Sequence, residues 1–149
     1  MIKENRMKYL IFFLLLLSVN LSAIESKHYY KAYDQKGFKT TIQEIERGAN
    51  YTILEVDIIN TDAQSGPFSI IAAAVKIGTD LRKTHFTVIK EYEKEKLYYY
   101  KIFFTSDINE DPAKAFPNEM SQDKLDKHSE IGYLSIATYS EFFKGVKSN

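Results

Sequence analysis

The chain has 149 residues, 44% of them hydrophobic, and its 20 Lys/Arg are balanced by 20 Asp/Glu. That balance excludes the basic footprint with which a protein holds nucleic acid or an anionic membrane surface. The absence of Cys excludes a disulfide framework, a thiol nucleophile and thiolate metal ligands.

Residues 1–23 read as a secretory signal peptide. Residues 1–8 are polar and basic, with Lys3, Arg6 and Lys8 against Glu4. Residues 9–17 (YLIFFLLLL) are unbroken apolar, and residues 18–23 (SVNLSA) are small and polar. This is the order of a cleavable export signal. Extended to Val19 the apolar run is 11 residues, short of the ~20 that a membrane-spanning helix needs. Cleavage is expected after Ala23. No Cys follows the run to carry a lipid, so the mature chain is expected to be soluble, without a membrane anchor. The leader holds three of the basic residues and one acidic residue, which leaves a mature formal charge of −2. A Cys-free exported domain must rest on its core alone, which suits a bacterial envelope. The Lys-, Ile- and Tyr-rich composition points the same way.

Residues 24–36 read as a flexible, polar lead-in, and residues 37–149 as one α+β domain. Residues 38–46 and 51–59 are predicted strands. The turn between them, Arg47-Gly48-Ala49-Asn50, has Gly and Asn to take positive φ. Leu54, Val56 and Ile58 alternate with Glu55 and Asp57, which puts one face of the second strand in the core. Residues 60–66 (NTDAQSG) break the pattern. A helix is expected from Pro67, because proline suits the first helical turn. Residues 68–77 (FSIIAAAVKI) are apolar nearly all round, the mark of a buried helix. Ala72, Ala73, Ala74 and Gly78 would let it lie close to a sheet.

Residues 85–91 and 97–105 form a second predicted hairpin around Glu93-Lys94-Glu95-Lys96. Residues 106–130 are a long polar loop with Pro112 and Pro117, in which residues 118–128 can form a short helix capped by Asn118. Residues 133–137 are a last strand and residues 140–146 a short closing helix anchored by Phe142 and Phe143. The expected fold is therefore an antiparallel sheet of about five strands in hairpins. One central helix and a short C-terminal helix pack on one face.

Ala72-Ala73-Ala74-Val75 and His85-Phe86-Thr87-Val88-Ile89, with Tyr139 before the closing helix, resemble small exported bacterial proteins of unknown function, many of them lipoproteins. In those proteins a strand leads into an Ala-Ala helix and a Phe opens the next strand. The resemblance implies export and a strand–helix–strand core. It brings no catalytic residue, and this chain lacks the lipid-bearing Cys.

No catalytic, cofactor or metal residue is assigned from the sequence. His28, His85 and His128 lack the helical i, i+4 spacing of a zinc site, and Lys124 is a poor partner for His128. Asp107-Ile108-Asn109-Glu110-Asp111 opens like a calcium loop, but Pro112 stands where that loop needs Gly and Asn118 where it needs Glu. No Ser lies in a Gly-x-Ser-x-Gly turn. Gly48, Gly66 and Gly78 are isolated, so no phosphate cradle forms. The pairs Glu44/Glu46 and Glu91/Glu93 have strand period, would each share a face, and read as solvated strand edges.

The aromatic strand 97–105 has the most functional promise. Tyr98, Tyr100, Ile102 and Phe104 share one face, and Leu97, Tyr99, Lys101 and Phe103 the other. With helices over the first face, Tyr99, Lys101 and Phe103 become a candidate interaction face for a protein or small ligand of the envelope, because aromatics with a polar handle are enriched at such surfaces. The alternative is that both faces are covered, the second by the long loop. A non-catalytic binding module is the leading expectation. A secreted hydrolase with a site assembled in three dimensions, or a factor released to a host, is the alternative.

Overall fold

The computed structural model describes residues 29–31, 39–60 and 65–146. Its strands are β1 (Tyr29–Lys31), β2 (Lys39–Arg47), β3 (Tyr51–Asn60), β4 (His85–Lys94), β5 (Leu97–Thr105) and β6 (Leu134–Ser135). Its helices are α1 (Ser65–Asp80), α2 (Pro112–Ala115), α3 (Gln122–Ile131) and α4 (Ile136–Val146). The strands form one sheet in the order β1-β2-β3-β5-β4-β6, and every neighbouring pair is antiparallel. The fold is α+β, built on the two expected hairpins. The expected signal peptide, residues 1–23, lies outside the described residues, as does the lead-in except for Tyr29–Lys31. Those three residues pair with Thr41–Gln43 of β2 as an edge strand.

Both hairpin turns depart from expectation. Neither Gly48 nor Asn50 takes positive φ. Gly48 is required for space instead, because a Cβ there would collide with the Tyr51 ring. In the second hairpin Lys94 pairs with Leu97, so Glu95 and Lys96 alone make the turn, at φ 54° and 67°. Two left-handed residues match the twist of a tight hairpin, here without the usual Asn-Gly.

Each hairpin carries a bulge. In β2 the register shifts between Glu44, opposite Leu54, and Glu46, opposite Ile53. The extra residue, Ile45, turns the rest of the strand over. Glu44 and Glu46 therefore do not share a face as the strand period implied. In β4 the shift falls between Val88 and Lys90, at Ile89. Before it, Phe86 and Val88 face the first side of the sheet. After it, Lys90 and Tyr92 lie opposite Lys101 and Tyr99 on the second side.

The core lies between the first face and helices α1 and α4. Ile42, Leu54, Val56, Phe86, Ile102 and Phe104 of the sheet meet Ile70, Ala74 and Ile77 of α1 and Ile136 of α4. At Gly78 the helix lies so close that an added Cβ would run into Ile136 and stand 3.0 Å from the Phe104 ring. Helix α1 starts two residues before the expected Pro67, which remains in the first turn where no intrahelical N–H partner is needed. The helix is not buried all round: Phe68 is 43% exposed and stacks on Phe142 of α4 at 5.8 Å. Arg82, at φ 56°, ends the helical path, with Lys83 N–H donating back to the Gly78 carbonyl at 2.9 Å.

Residues 106–130 are not a structureless loop. Asp111 caps α2 through a 2.9 Å bond from the Ala113 N–H. The second helix runs over Gln122–Ile131 behind Ser121, not over 118–128. Asn118 sits at φ 69° in the turn before it, so it is a turn residue and not the cap. The expected strand 133–137 shrinks to Leu134–Ser135, and α4 starts at Ile136. Ser135 explains the early start. Its hydroxyl accepts the Thr138 N–H at 3.3 Å, the contact of an N-cap, while Ile136 turns into the core.

Candidate functional site

The second face of the sheet carries the candidate strip. Tyr51, Ile53 and Glu55 of β3 lie opposite Phe103, Lys101 and Tyr99 of β5, and Thr87 and Tyr92 of β4 flank them from the other side. The α2–α3 segment folds over one end of this face. Phe116, just past α2, sets its edge on Tyr51 and on Phe103, each at 5.5 Å. Tyr133 adds a contact to Phe103 at 6.3 Å.

The three candidate residues therefore part company. Phe103 is 0% exposed and belongs to a small second core. Lys101 is clamped: its Nζ lies 2.9 Å from Glu119 Oε1 and 4.5 and 4.6 Å from the Tyr51 and Phe116 ring centres. A cation held between two ring faces and a carboxylate is fixed in place. Tyr99 has its partners within the sheet. Its hydroxyl donates to Glu55 Oε2 at 2.9 Å, and its ring stacks on Tyr92 at 5.0 Å with 9° between planes. Tyr92 is 39% exposed, and Lys90 Nζ stands 5.6 Å from its ring centre. The open end of the face is thus a stacked tyrosine pair with a lysine beside it.

Tyr92 is the residue that strand period misplaces. Counted by twos from Phe86 and Val88 it falls on the first face, and the bulge at Ile89 brings it beside Tyr99. The adjacent apolar pair Val88-Ile89 is the trace of that bulge in the sequence.

A cleft of about 370 Å³ opens between the bulged part of β4 and the start of α3, and it shares Lys90 with the Tyr92 contact. Lys90, Lys124 and Lys127 line it together with the acids Glu91, Glu119 and Asp123. Lys124 Nζ crosses to Glu91 Oε2 at 3.0 Å and ties α3 to β4.

The histidines sit elsewhere. His85 Nδ1 lies 2.8 Å from Thr84 Oγ1. His128 Nδ1 lies 3.3 Å from Thr87 Oγ1, with the ring edge-on to Tyr133 at 4.8 Å. His28 lies outside the described residues. Among the described residues no group of three or more His, Asp or Glu is placed to hold a metal ion. The acids of residues 107–111 hold the local chain: Asp107 Oδ1 accepts the Asn109 N–H at 2.9 Å, Asp111 caps α2, and Glu110 Oε2 accepts from the Thr105 hydroxyl at 2.6 Å.

Three phenols, Tyr99 and Tyr133 on this side and Tyr100 on the first face, are held neutral. The hydrogen bond to Glu55 raises the Tyr99 pKa. Burial, then the charge of Glu91, pushes Tyr100 up to about 12. Burial, then Glu110 and Asp111, pushes Tyr133 up to about 12. An unfolded phenol ionises near 10, so the folded pKa values are the higher ones. The stabilisation they report is complete below pH 10 and is lost as the pH rises toward about 12. Absorbance at 295 nm should show late-ionising tyrosines, and Tyr100→Phe with Tyr133→Phe should move alkaline unfolding to higher pH. Unchanged alkaline unfolding in that variant would contradict the assignment.

Comparison of the chain with family models, curated proteins and solved structures yields no match.

Proposed function

We propose that the chain is an exported, soluble bacterial protein of the periplasm that acts as a non-catalytic binding module through the open end of its second sheet face. The leader-like order of residues 1–23 supports export, and the absence of Cys supports an envelope protein without a lipid anchor. The resemblance of the Ala72–Val75 and His85–Ile89 segments to small exported bacterial proteins agrees with that placement. The observation that carries the binding reading is the Tyr92–Tyr99 stack, two parallel rings at 5.0 Å on a face whose other end is covered. Rigid aromatics with hydroxyl tips give contact area at low entropic cost, which is why binding surfaces use them.

A secreted hydrolase is the competing class. Its acid–base unit would centre on His128 and Thr87, and a histidine in that role is oriented by a carboxylate. His128 has the Thr87 hydroxyl and the Tyr133 ring as partners.

The test expresses the full chain with a photo-crosslinking phenylalanine analogue at Tyr92 or, as control, at Phe142 on the helix layer. Irradiated cells are fractionated and the mature N-terminus is sequenced. The proposal expects a start near Ile24, protein in the periplasm, and adducts from position 92 in excess of those from 142. Recovery with Met1 intact would overturn export and cleavage. Equal or absent adducts at 92 would overturn the binding face, and protein found mainly in the medium would favour a released factor.

A further inference from the structure

We propose that the cleft between β4 and α3, which shares Lys90 with the Tyr92 contact, binds an acidic saccharide, a ring with one carboxylate and several hydroxyls; the inference rests on the binding-module reading above.

The charge pattern selects the ligand. Three lysines from two elements line the cleft: Lys90 from β4, Lys124 and Lys127 from α3. Lys124 is bonded to Glu91 at 3.0 Å. Lys90 and Lys127 are exposed, and among the described residues no carboxylate lies in ion-pair range of either. Asp123 is held low first by the Ser121 hydrogen bond and further by Lys124 and Lys127, so Lys127 is partly offset. Lys90 remains, and a cation facing a concavity attracts an anion.

The acids of the cleft limit how much negative charge it accepts. Glu119 is bonded to Lys101 at 2.9 Å, and Asp123 accepts from Ser121 Oγ at 2.5 Å. With Glu91 they repel a multiply charged ligand, and their remaining lone pairs accept hydroxyl donors. Among the described residues no Arg lines the cleft, so they do not offer the planar fork that favours phosphate. Among the described residues Ile89 is the sole apolar side chain in the lining, which disfavours an acyl chain. One negative charge with many hydroxyls fits what remains.

The aromatic pair supplies the second half of the site. Lys90 belongs to both: it lines the cleft, and its Nζ stands 5.6 Å from the Tyr92 ring centre. A sugar whose carboxylate meets Lys90 and Lys127 can lay the apolar face of its ring, or of the next ring, on Tyr92. The volume of about 370 Å³ falls at the lower end of small-ligand sites, ~300–1,000 Å³, and suits one or two sugar rings.

The test follows the amide spectrum of the protein, expressed from the full chain, through titration with galacturonate, with galactose and with inorganic phosphate. Saturable shifts centred on Lys90, Tyr92 and Lys127 are expected with galacturonate alone, weakening as salt is raised. Lys127→Ala should weaken binding about threefold to fivefold, the loss of one partly exposed ion pair. Both lysines are exposed, so Lys127→Ala and Lys90→Ala should keep the native spectrum. Equal binding of galactose would overturn the role of the lysines, and equal binding of phosphate would show an unspecific cationic patch. No shift with galacturonate, alongside adducts at position 92 in cells, would overturn the ligand class and leave the binding module standing. Failure of both would overturn the module itself.

Discussion

Phe103→Ala should cost the fold about 3–5 kcal/mol, the usual loss for truncating a buried aromatic. Phe103 is fully buried, with Phe116 and Tyr133 set against its ring and Thr87 opposite it on β4. Those neighbours come from a strand and from the α2–α3 segment. The cavity would therefore open between layers, and the segment would lose its main anchor. Tyr99→Ala, four residues along the same face, should cost under about 1.5 kcal/mol. It removes one hydrogen bond to Glu55 and one stacking contact to a half-exposed ring. Urea unfolding of the two variants measures the contrast. Equal losses would mean that the covered and open ends of the face are not distinct.

Arg47→Ala should cost about 2–4 kcal/mol, a value lowered from that of a fully buried pair because Arg47 is partly exposed. Glu44 is only 5% exposed and yet carries a carboxylate into the first face. Arg47 donates to both of its oxygens, Nε at 2.7 Å and Nη2 at 2.6 Å, and Thr52 Oγ1 donates at 2.6 Å. Arg47 Nη1 also reaches Asp80 at 3.8 Å, which links the first hairpin to the end of α1. Truncating the arginine removes a bidentate partner from a carboxylate with little access to water. Glu44→Met combined with Arg47→Met should recover much of the loss, because an apolar pair needs no charge compensation. A double-mutant cycle by chemical denaturation measures the coupling. A variant Arg47→Ala as stable as the parent would refute the role given to the pair.

Much of the architecture was legible because its signals are local. Alternation in residues 51–59 and the aromatic run 97–105 marked the central strands. The apolar run before Gly78 marked the helix that covers them. What escaped depends on single inserted residues and on side chains meeting across the fold. The bulges at Ile45 and Ile89 each reverse the alternation that follows, so Glu44 parts from Glu46 and Tyr92 joins Tyr99. In a polar segment such as residues 106–130 the apolar period is too weak to place a helix. There the anchors are Phe116 and Tyr133, which mean little until Phe103 is set beneath them. At the closing strand Leu134 and Ile136 alternate like a strand, whereas the Ser135 cap turns the chain into a helix. Of the three candidate site residues, one proved core, one clamped and one open. Periodicity assigns a face, and only tertiary packing decides which part of that face is covered.

Hydroxyl-radical footprinting read residue by residue tests the division of the second face most directly. Tyr92 and Tyr99 should be oxidised readily while Phe103 stays protected to the level of the core residue Phe104. Oxidation of Phe103 on a par with Tyr99, or protection of Tyr92 and Tyr99 on a par with Phe104, would contradict a face that is closed at one end and open for binding at the other.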